Sequence, residues 1–334
     1  MKKILALSAG DPNSIATFIS LKAWQALRES SDVFVFIGNK NNVDAAISYF
    51  GLPIKTLALK DLADRERICE LFKEYFLVFD IGGSIDFSLG KPVVANAEYI
   101  LNSLHTGVDL VEKGLVDGII TNPVDKHLIN EYLVNDTFVG HTEYLAKLSH
   151  ANDTVMMFCS NKSALKVVPL TTHVSLSQAI NSLSAELIVN KTIQINNFLK
   201  KYYGMANPRI SMLSLNPHAG ENGLMGDEEI KIINPAIKQL QGLGLDISGS
   251  FPADSFFTAQ NMAGDIIIGM YHDQVLTPFK TLYFDSGVNT TIGLPFIRTS
   301  PDHGVGFNIA ASSKANPNSL IAAIEVASSL VNHE

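Results

Sequence analysis

Short runs of aliphatic and β-branched residues alternate along this chain with longer stretches whose apolar positions recur every three or four residues. Ile4–Leu7, Val33–Ile37, Leu77–Phe79 and Ile119–Thr121 are of the first kind, set off by Gly, Asp or Pro, and they predict buried strands. Val94–Val111 is of the second kind. Ala97, Ile100, Leu101, Leu104, Val108 and Val111 fall on one face there, as an amphipathic helix requires. Further on, Leu165–Pro169, Ile210–Leu215 and Ile266–Met270 read as strands, and Ser184–Tyr203 as a long helix. The Gly-rich stretch NPHAGENGLMGDEE opens a helix at Asp227, and Pro317–Val331 is a final helix with Pro in its first turn. Such alternation predicts an α/β fold of mainly parallel sheets with helices on both sides. The expected division is a first α/β domain of residues 1–125 plus 305–334, to which the last helix returns, and a second of residues 126–304.

Composition narrows the function. The 334 residues suit one or two α/β domains. With 46% hydrophobic and 17% charged residues, the chain has the balance of a globular enzyme and not of a disordered segment. A net charge of −8 argues against nucleic acid, whose phosphates demand a basic face. It leaves a small anionic substrate open, since that depends on local Lys and Arg. Cys69 and Cys159 are the only cysteines, which fits a reducing cytoplasm and no disulfide framework. The opening MKKILALSAG reads as a first strand, because Asp11-Pro12 follows its short apolar run at once. No stretch approaches the roughly twenty apolar residues of a spanning helix. GxGxxG follows none of the strands, and DIGGSIDF lacks the third glycine, so a Rossmann dinucleotide site is not expected.

Three histidines carry the strongest chemical signal. His173 in TTHV, His218 in NPHAGE and His272 in YHDQ each lie just past one of the apolar runs. Strand ends in α/β sheets are where ligands collect. Three neutral imidazoles meeting there would hold a divalent metal with a position left open. Asp273, next to His272, is a candidate acceptor to fix that ring's tautomer. Asp254 in FPADSFF reads equally as a helix N-cap and as a carboxylate close to the metal.

Lys280, Asn289 and Arg298 recur at intervals of nine through an otherwise apolar stretch broken by Gly and Pro. Two cations and an amide converging on one point are what phosphate or carboxylate recognition needs. GHTE adds His141 and Thr142 at a helix start, where backbone N–H groups favour anions. Thr142 as a plain N-cap competes with that reading.

Taken together, GHTE, TTHV, NPHAGENGLMGDEE, FPADSFF, MYHDQ, the Lys280–Asn289–Arg298 series, GLPFIRTS and DHG resemble the 4-hydroxythreonine-4-phosphate dehydrogenase family of the vitamin B6 pathway. The match is dense from Gly118 to Ala310. The resemblance implies a two-domain fold like the isocitrate and isopropylmalate dehydrogenases, using NAD or NADP without a Rossmann motif. It also implies a homodimer with the active site at the subunit interface. His173, His218 and His272, drawn from both subunits, would bind zinc, magnesium or cobalt. His141, Thr142, Lys280, Asn289 and Arg298 would hold the phosphorylated substrate, and the loop of Gly304 and Asn308 would meet the cofactor. The implied reaction oxidises 4-phosphooxy-L-threonine at its C3 hydroxyl and then removes carbon dioxide. Asp254, Asp273 and Lys280 are the candidate proton-transfer groups. Other phosphorylated hydroxy acids or a dihydrodiol, and a hydrolase without nicotinamide, are the competing readings.

The chain departs from the family in several segments, and the cofactor side is the more altered. GDPNSIATF stands where GDPAGIGPE is usual, Val305-Gly306 follow Gly304 where Thr-Ala is usual, and TNPVDK occupies Thr121–Lys126.

Overall fold

The computed structural model describes residues 2–134, 136–258 and 264–333. The apolar runs become strands, and others join them: β1 Leu5–Ser8, β2 Phe34–Gly38, β3 Thr56–Leu59, β4 Phe76–Asp80, β5 Gly118–Ile120 and β6 Val155–Ser160, of which β3 and β6 are not expected from the sequence. There follow β7 Ser163–Thr171, β8 Ile210–Leu213, β9 Ile247–Phe251, β10 Ile266–Tyr271, β11 Gly287–Ile292 and β12 Ile297–Pro301. The backbone separates into two compact units, Met1–Thr154 with Asp285–Asn332, and a second built on Val155–Phe284.

In the first unit the strands run in the order β3-β4-β2-β1-β5-β12-β11. All are parallel except the β11–β12 pair. β1 is buried along its whole length, as a central strand covered on both faces must be. Beside it Phe34 and Phe72 pack edge to face at 5.1 Å. The indole of Trp24 donates to the Phe72 carbonyl at 2.7 Å, so its one polar atom is satisfied in the core. The helix Ala97–Glu112 buries Ile100, Leu104 and Val108. Its predicted first turn, Val94–Asn96, is 3-10 instead.

The expected domain bounds at 125/126 and 304/305 give way to crossings after Thr154 and after Phe284. Two pairings explain the shift. β12 adds to β5 in parallel, with Arg298 opposite Ile119, and β11 folds back on β12, so residues from Gly287 onward belong to this sheet. The helix His141–Leu148 is tied back as well, since the Tyr144 hydroxyl lies 2.8 Å from His105 Nε2 on Ala97–Glu112. The last helix, Asn318–His333, buries Leu320, Ala323, Ile324 and Ala327.

In the second unit the order is β6-β7-β10-β8-β9, with only the β6–β7 pair antiparallel. Its core joins Phe158, Val167, Leu213 and Ile267 of the sheet to Val275, Leu276 and Phe279 of the helix His272–Tyr283. Ser184 caps the helix Ala185–Tyr203 by accepting from the Leu187 N–H at 3.1 Å. The helix expected from Asp227 starts as a π-turn, Glu229–Ile233, before Asn234–Gly242. Pro235 cannot donate and crowds the carbonyl a turn before it, and the wider turn accommodates that. Among the described residues no helix is long and apolar enough to cross a membrane.

Candidate active site

β7 and β10 pair in parallel with Thr171 opposite Tyr271. His173 follows the end of one strand by two residues and His272 the end of the other by one. The register therefore brings the two imidazoles together, with ring centroids 6.0 Å apart. The Thr171 hydroxyl donates to the Met270 carbonyl at 2.8 Å, which fastens the two strand ends. His272 Nδ1 lies 2.7 Å from Asp273 Oδ1. An ionised carboxylate only accepts, so Nδ1 is the donor, and in the neutral ring that tautomer leaves the lone pair on Nε2. A cavity of about 290 Å³ lies against Thr171, His173, Tyr271, His272 and Asp273. Two facing imidazoles, one with its tautomer fixed, fit two positions of a divalent-ion site.

His218 comes from the same sheet edge but not the same spot. It follows β8, the neighbour of β10. Among the described residues no group of three or more His, Cys, Asp or Glu side chains is close enough to hold an ion. The His218 turn has an unusual backbone. Residues 218–222 all have positive φ, although Gly220 is the only glycine among them. Each non-glycine residue in that region is strained, by roughly 1 kcal/mol or more. Glu229 offsets this strain. It is 2% exposed, its Oε1 accepts from the Leu215 and Asn216 N–H groups at 2.8 Å each, and its Oε2 accepts from Asn216 Nδ2 at 3.0 Å. Gly220 packs so closely that a Cβ there would lie 2.7 Å from Glu229 Oε2.

Asp254 is exposed in the first turn of the short helix Ala253–Phe256, whose N-cap is Pro252 with no side-chain cap bond. Its N-cap reading is therefore not realised. Lys280 lies eight residues after His272 on one helix, about 12 Å along the axis at 1.5 Å per residue. The nine-residue series is divided by the fold. Lys280 belongs to the second unit, Asn289 and Arg298 to the first.

In the first unit the antiparallel register sets Thr291 opposite Arg298 and Asn289 opposite Ser300. Residues two apart share a face of a strand, so Asn289, Thr291 and Arg298 point the same way. Arg298 is 2% exposed. Its Nε and Nη2 donate to the Thr121 hydroxyl at 3.1 and 2.6 Å, and its Nη1 to the Thr291 hydroxyl at 2.9 Å. Burial pulls its pKa down to about 9, with Glu143 opposing, so it stays charged at neutral pH. No carboxylate of the described residues closes on it within ion-pair distance. A buried cation held by neutral hydroxyls is poised for an anion.

Around it stand the GHTE residues. His141 opens the helix His141–Leu148 behind Gly140. Its Nε2 is sealed from solvent without a partner, as is Asn289 Oδ1. Burial first, then the charges of Arg298 and Lys126, holds the His141 pKa well below the usual histidine range, so the ring is neutral. Thr142 is not the N-cap, which is Gly140. Its hydroxyl sits 3.3 Å from that of Thr291. Thr121, Thr291, Glu143 and Lys126 surround Arg298 and His141 as well, and motif reading assigned none of the four a role. Thr121, lying just past the end of β5, could have been found by the strand-end argument used for the histidines.

Two of the segments that depart from the family touch one another. The Ile15 N–H donates to the Val305 carbonyl at 3.1 Å, and Ile15 Cγ2 is 3.1 Å from where a Cβ on Gly306 would be. Asn13 accepts from the Ser88 N–H at 2.7 Å and donates to the Asp86 carbonyl at 2.9 Å. Its amide thus tethers the loop after β4. Gly304 and Asn308 are exposed, and no atom lies within 4 Å of a Cβ added at Gly304.

Residues 29–327 match the model of the family described as pyridoxal phosphate biosynthetic protein PdxA. A 4-hydroxythreonine-4-phosphate dehydrogenase of Caulobacter vibrioides is 40% identical over 98% of this chain and 97% of its own. The crystal structure of the enzyme of that name from Klebsiella pneumoniae superposes with a TM-score of 0.85 at 31% identity, covering 98% of this chain and 99% of the other. A β-decarboxylating dehydrogenase of Thermococcus kodakarensis, 11% identical with a TM-score of 0.50 over 96% of this chain and 80% of its own, shares the fold. The chain belongs to the PdxA family of pyridoxal phosphate biosynthetic proteins.

Proposed function

We propose that this chain oxidises 4-phosphooxy-L-threonine at its C3 hydroxyl with NAD or NADP, and that the β-keto acid so formed loses carbon dioxide to give 3-amino-2-oxopropyl phosphate. The observation that carries the reading is Arg298, a buried guanidinium whose partners are the hydroxyls of Thr121 and Thr291. It binds the substrate phosphate, and Thr142, Asn289 and neutral His141 add hydrogen bonds around it. Fixing one end of a small substrate in this way converts binding into orientation of the reacting carbon.

His173 and His272, completed by His218, would hold a divalent ion, zinc, magnesium or cobalt, and the loop of Gly304 and Asn308 would hold the adenosine half of the cofactor. The chemistry these groups would supply is acidification of the C3 hydroxyl, whose proton passes to a base, and acceptance by the nicotinamide of the hydride from C3 itself. Asp273 keeps His272 in the tautomer that presents Nε2. Lys280 and Asp254 are the groups proposed to move protons, Lys280 as the acid of the decarboxylation step.

The active assembly is a homodimer in which the second copy supplies the missing ligand. Apolar side chains flank the histidines and face solvent in the single chain: Val174, Leu176 and Ile180 beside His173, and Leu224, at 82% exposure, with Met225 beyond His218. Such a surface fits a partner better than water.

The test is direct. The purified chain, 4-phosphooxy-L-threonine, NAD and a divalent ion should yield NADH, with chelation abolishing the signal and unphosphorylated 4-hydroxythreonine giving little. Tight binding of the phosphorylated substrate with no NADH or NADPH under any metal would overturn the dehydrogenase reading.

A further inference from the structure

The anion pocket of the first unit has a charge imbalance. A phosphomonoester carries close to two negative charges above pH 7, whereas Arg298 supplies one positive charge and Glu143 acts on it with a negative one. A second cation is within reach. Lys126 starts the helix Lys126–Tyr132 directly after its cap, Asp125. Its Nζ lies 3.4 Å from the point that a Cβ on Gly140 would occupy, and Glu143 Oε2 lies 2.9 Å from the same point. Gly140 is extended at φ 176°, so its glycine is needed for space and not for conformation. Any side chain there would fill the gap over which both charges hang.

Three polar atoms around Gly140 are unengaged. Glu143 Oε2 and His141 Nε2 are sealed from solvent with no hydrogen-bond partner, and the Lys126 ammonium has no hydrogen-bond or ion-pair partner among the described residues. An exposed lysine is ordinarily a solvated surface charge. This one faces the pocket: its charge acts on the His141 ring together with that of Arg298. A sealed imidazole nitrogen beside an unpaired ammonium describes a site that can take an anion, and the Glu143 oxygen is the local negative charge that a second cation offsets.

We propose that Lys126 is a second substrate-binding cation, which joins Arg298 on the terminal phosphate and sets the preference for a dianionic phosphomonoester over a singly charged group. This rests on the phosphate pocket argued above. A guanidinium fixed by hydroxyls gives geometry, and a flexible ammonium at the rim adds charge without demanding a particular orientation.

Inorganic phosphate is the probe, titrated calorimetrically into the metal-loaded chain at pH 8, where it is a dianion, and at pH 5.5, where it is mostly a monoanion. Lys126→Met should weaken phosphate binding tenfold or more at pH 8 but less than threefold at pH 5.5, and Lys126→Arg should recover most of the loss. In turnover the defect should fall mainly on KM for the phosphorylated substrate. The His141 ring, followed by NMR, should titrate at a higher pH in Lys126→Met than in the parent chain. Arg298→Met is the control and should weaken binding at both pH values. If Arg298→Met leaves phosphate binding intact, the pocket reading itself fails. If Arg298→Met destroys binding while Lys126→Met stays within twofold at pH 8, or the His141 titration does not move, Lys126 is only a surface charge and the inference is overturned.

Discussion

Arg298 places two of its nitrogens, Nε at 3.1 Å and Nη2 at 2.6 Å, on the single hydroxyl of Thr121. The contact links β12 to the residue just past β5, strands that pair in parallel. It fixes the guanidinium plane without neutralising its charge. Thr121→Val keeps the shape and removes the acceptor, leaving two N–H groups of a buried cation unsatisfied. The cost is about 1–3 kcal/mol. The expected outcome is a tenfold or larger rise in KM for the phosphorylated substrate and a lower melting temperature, with Thr121→Ser close to the parent. Unchanged KM in Thr121→Val would show that the other contacts suffice to orient Arg298.

Strands β3, β6, β9, β11 and β12 lie outside the runs predicted from the sequence, whereas β1, β2, β4, β5, β7, β8 and β10 were legible because each is a short apolar run between breakers. Their ends told which histidines would share an edge. What the sequence could not tell was register. Thr171 opposite Tyr271 brings His173 and His272 together, while His218 leaves its strand through a left-handed turn whose path depends on Glu229, thirteen residues beyond Asn216. The interval of nine between Asn289 and Arg298 does reflect a shared face. Lys280 lies on the helix His272–Tyr283 of the second unit, so the interval carries no shared strand face to it. Thr121 escaped notice because a threonine hydroxyl becomes part of an anion site only through its neighbour's charge.

Asp11 gives a pH prediction. It is fully buried, one oxygen accepts from the Asn13 N–H at 2.9 Å, and the other has no partner. Burial, aided by the nearby charge of Asp125 and opposed by the Asn13 hydrogen bond, raises its pKa from 3.8 to about 6. Between those values the folded chain keeps a proton that the unfolded chain has released. Stability from this group therefore falls as pH rises from about 4 to about 6 and then levels. Asp11→Asn keeps the acceptor for Asn13 and removes the burdened charge. It should be more stable than the parent at pH 7.5, by up to about 3 kcal/mol, and the gap should close near pH 4. Denaturant unfolding at the two pH values decides it; a variant less stable at both would mean that the carboxylate is satisfied.

The Asp273 carboxylate fixes the His272 tautomer from an exposed position, with 81% of its side chain open to solvent. Its effect should therefore lie at the low end for an outer-shell partner, about tenfold in metal affinity. Asp273→Asn tested by competition with a chelator should show this loss, and His272→Ala a far larger one. Equal affinities in Asp273→Asn and the parent would mean that the ring is oriented without its neighbour.

Sharing of ligands between copies has a numerical signature. His173→Ala and His218→Ala should each lose metal binding. If a site takes His173 and His272 from one chain and His218 from the other, a mixed dimer rebuilds one complete site and one doubly deficient site. Equal mixing after reversible dissociation should then restore about a quarter of the parent sites. Bound metal per chain and dehydrogenase activity should recover together. No recovery from mixed dimers shown by mass to have formed would place all three ligands in one chain.

Glu229 supplies the last prediction. Its two oxygens take three hydrogen bonds from Leu215 and Asn216, and the run of positive φ from His218 to Asn222 begins two residues later. A left-handed run of ordinary residues persists only where its surroundings hold it. Glu229→Gln preserves size but puts an amide nitrogen opposite the Asn216 Nδ2 donor, or removes an acceptor from the two backbone N–H groups. Either arrangement leaves a buried donor unmet, at about 1–3 kcal/mol. That is comparable with the strain it was holding, so the turn should relax and His218 should lose its placement. The cobalt-loaded chain reports this through its visible absorption: Glu229→Gln should need about ten times more Co²⁺ to reach half-saturation, and His218→Ala more still. If Glu229→Gln melts earlier yet binds cobalt like the parent, the carboxylate supports the unit's stability alone and the turn positions His218 by other means.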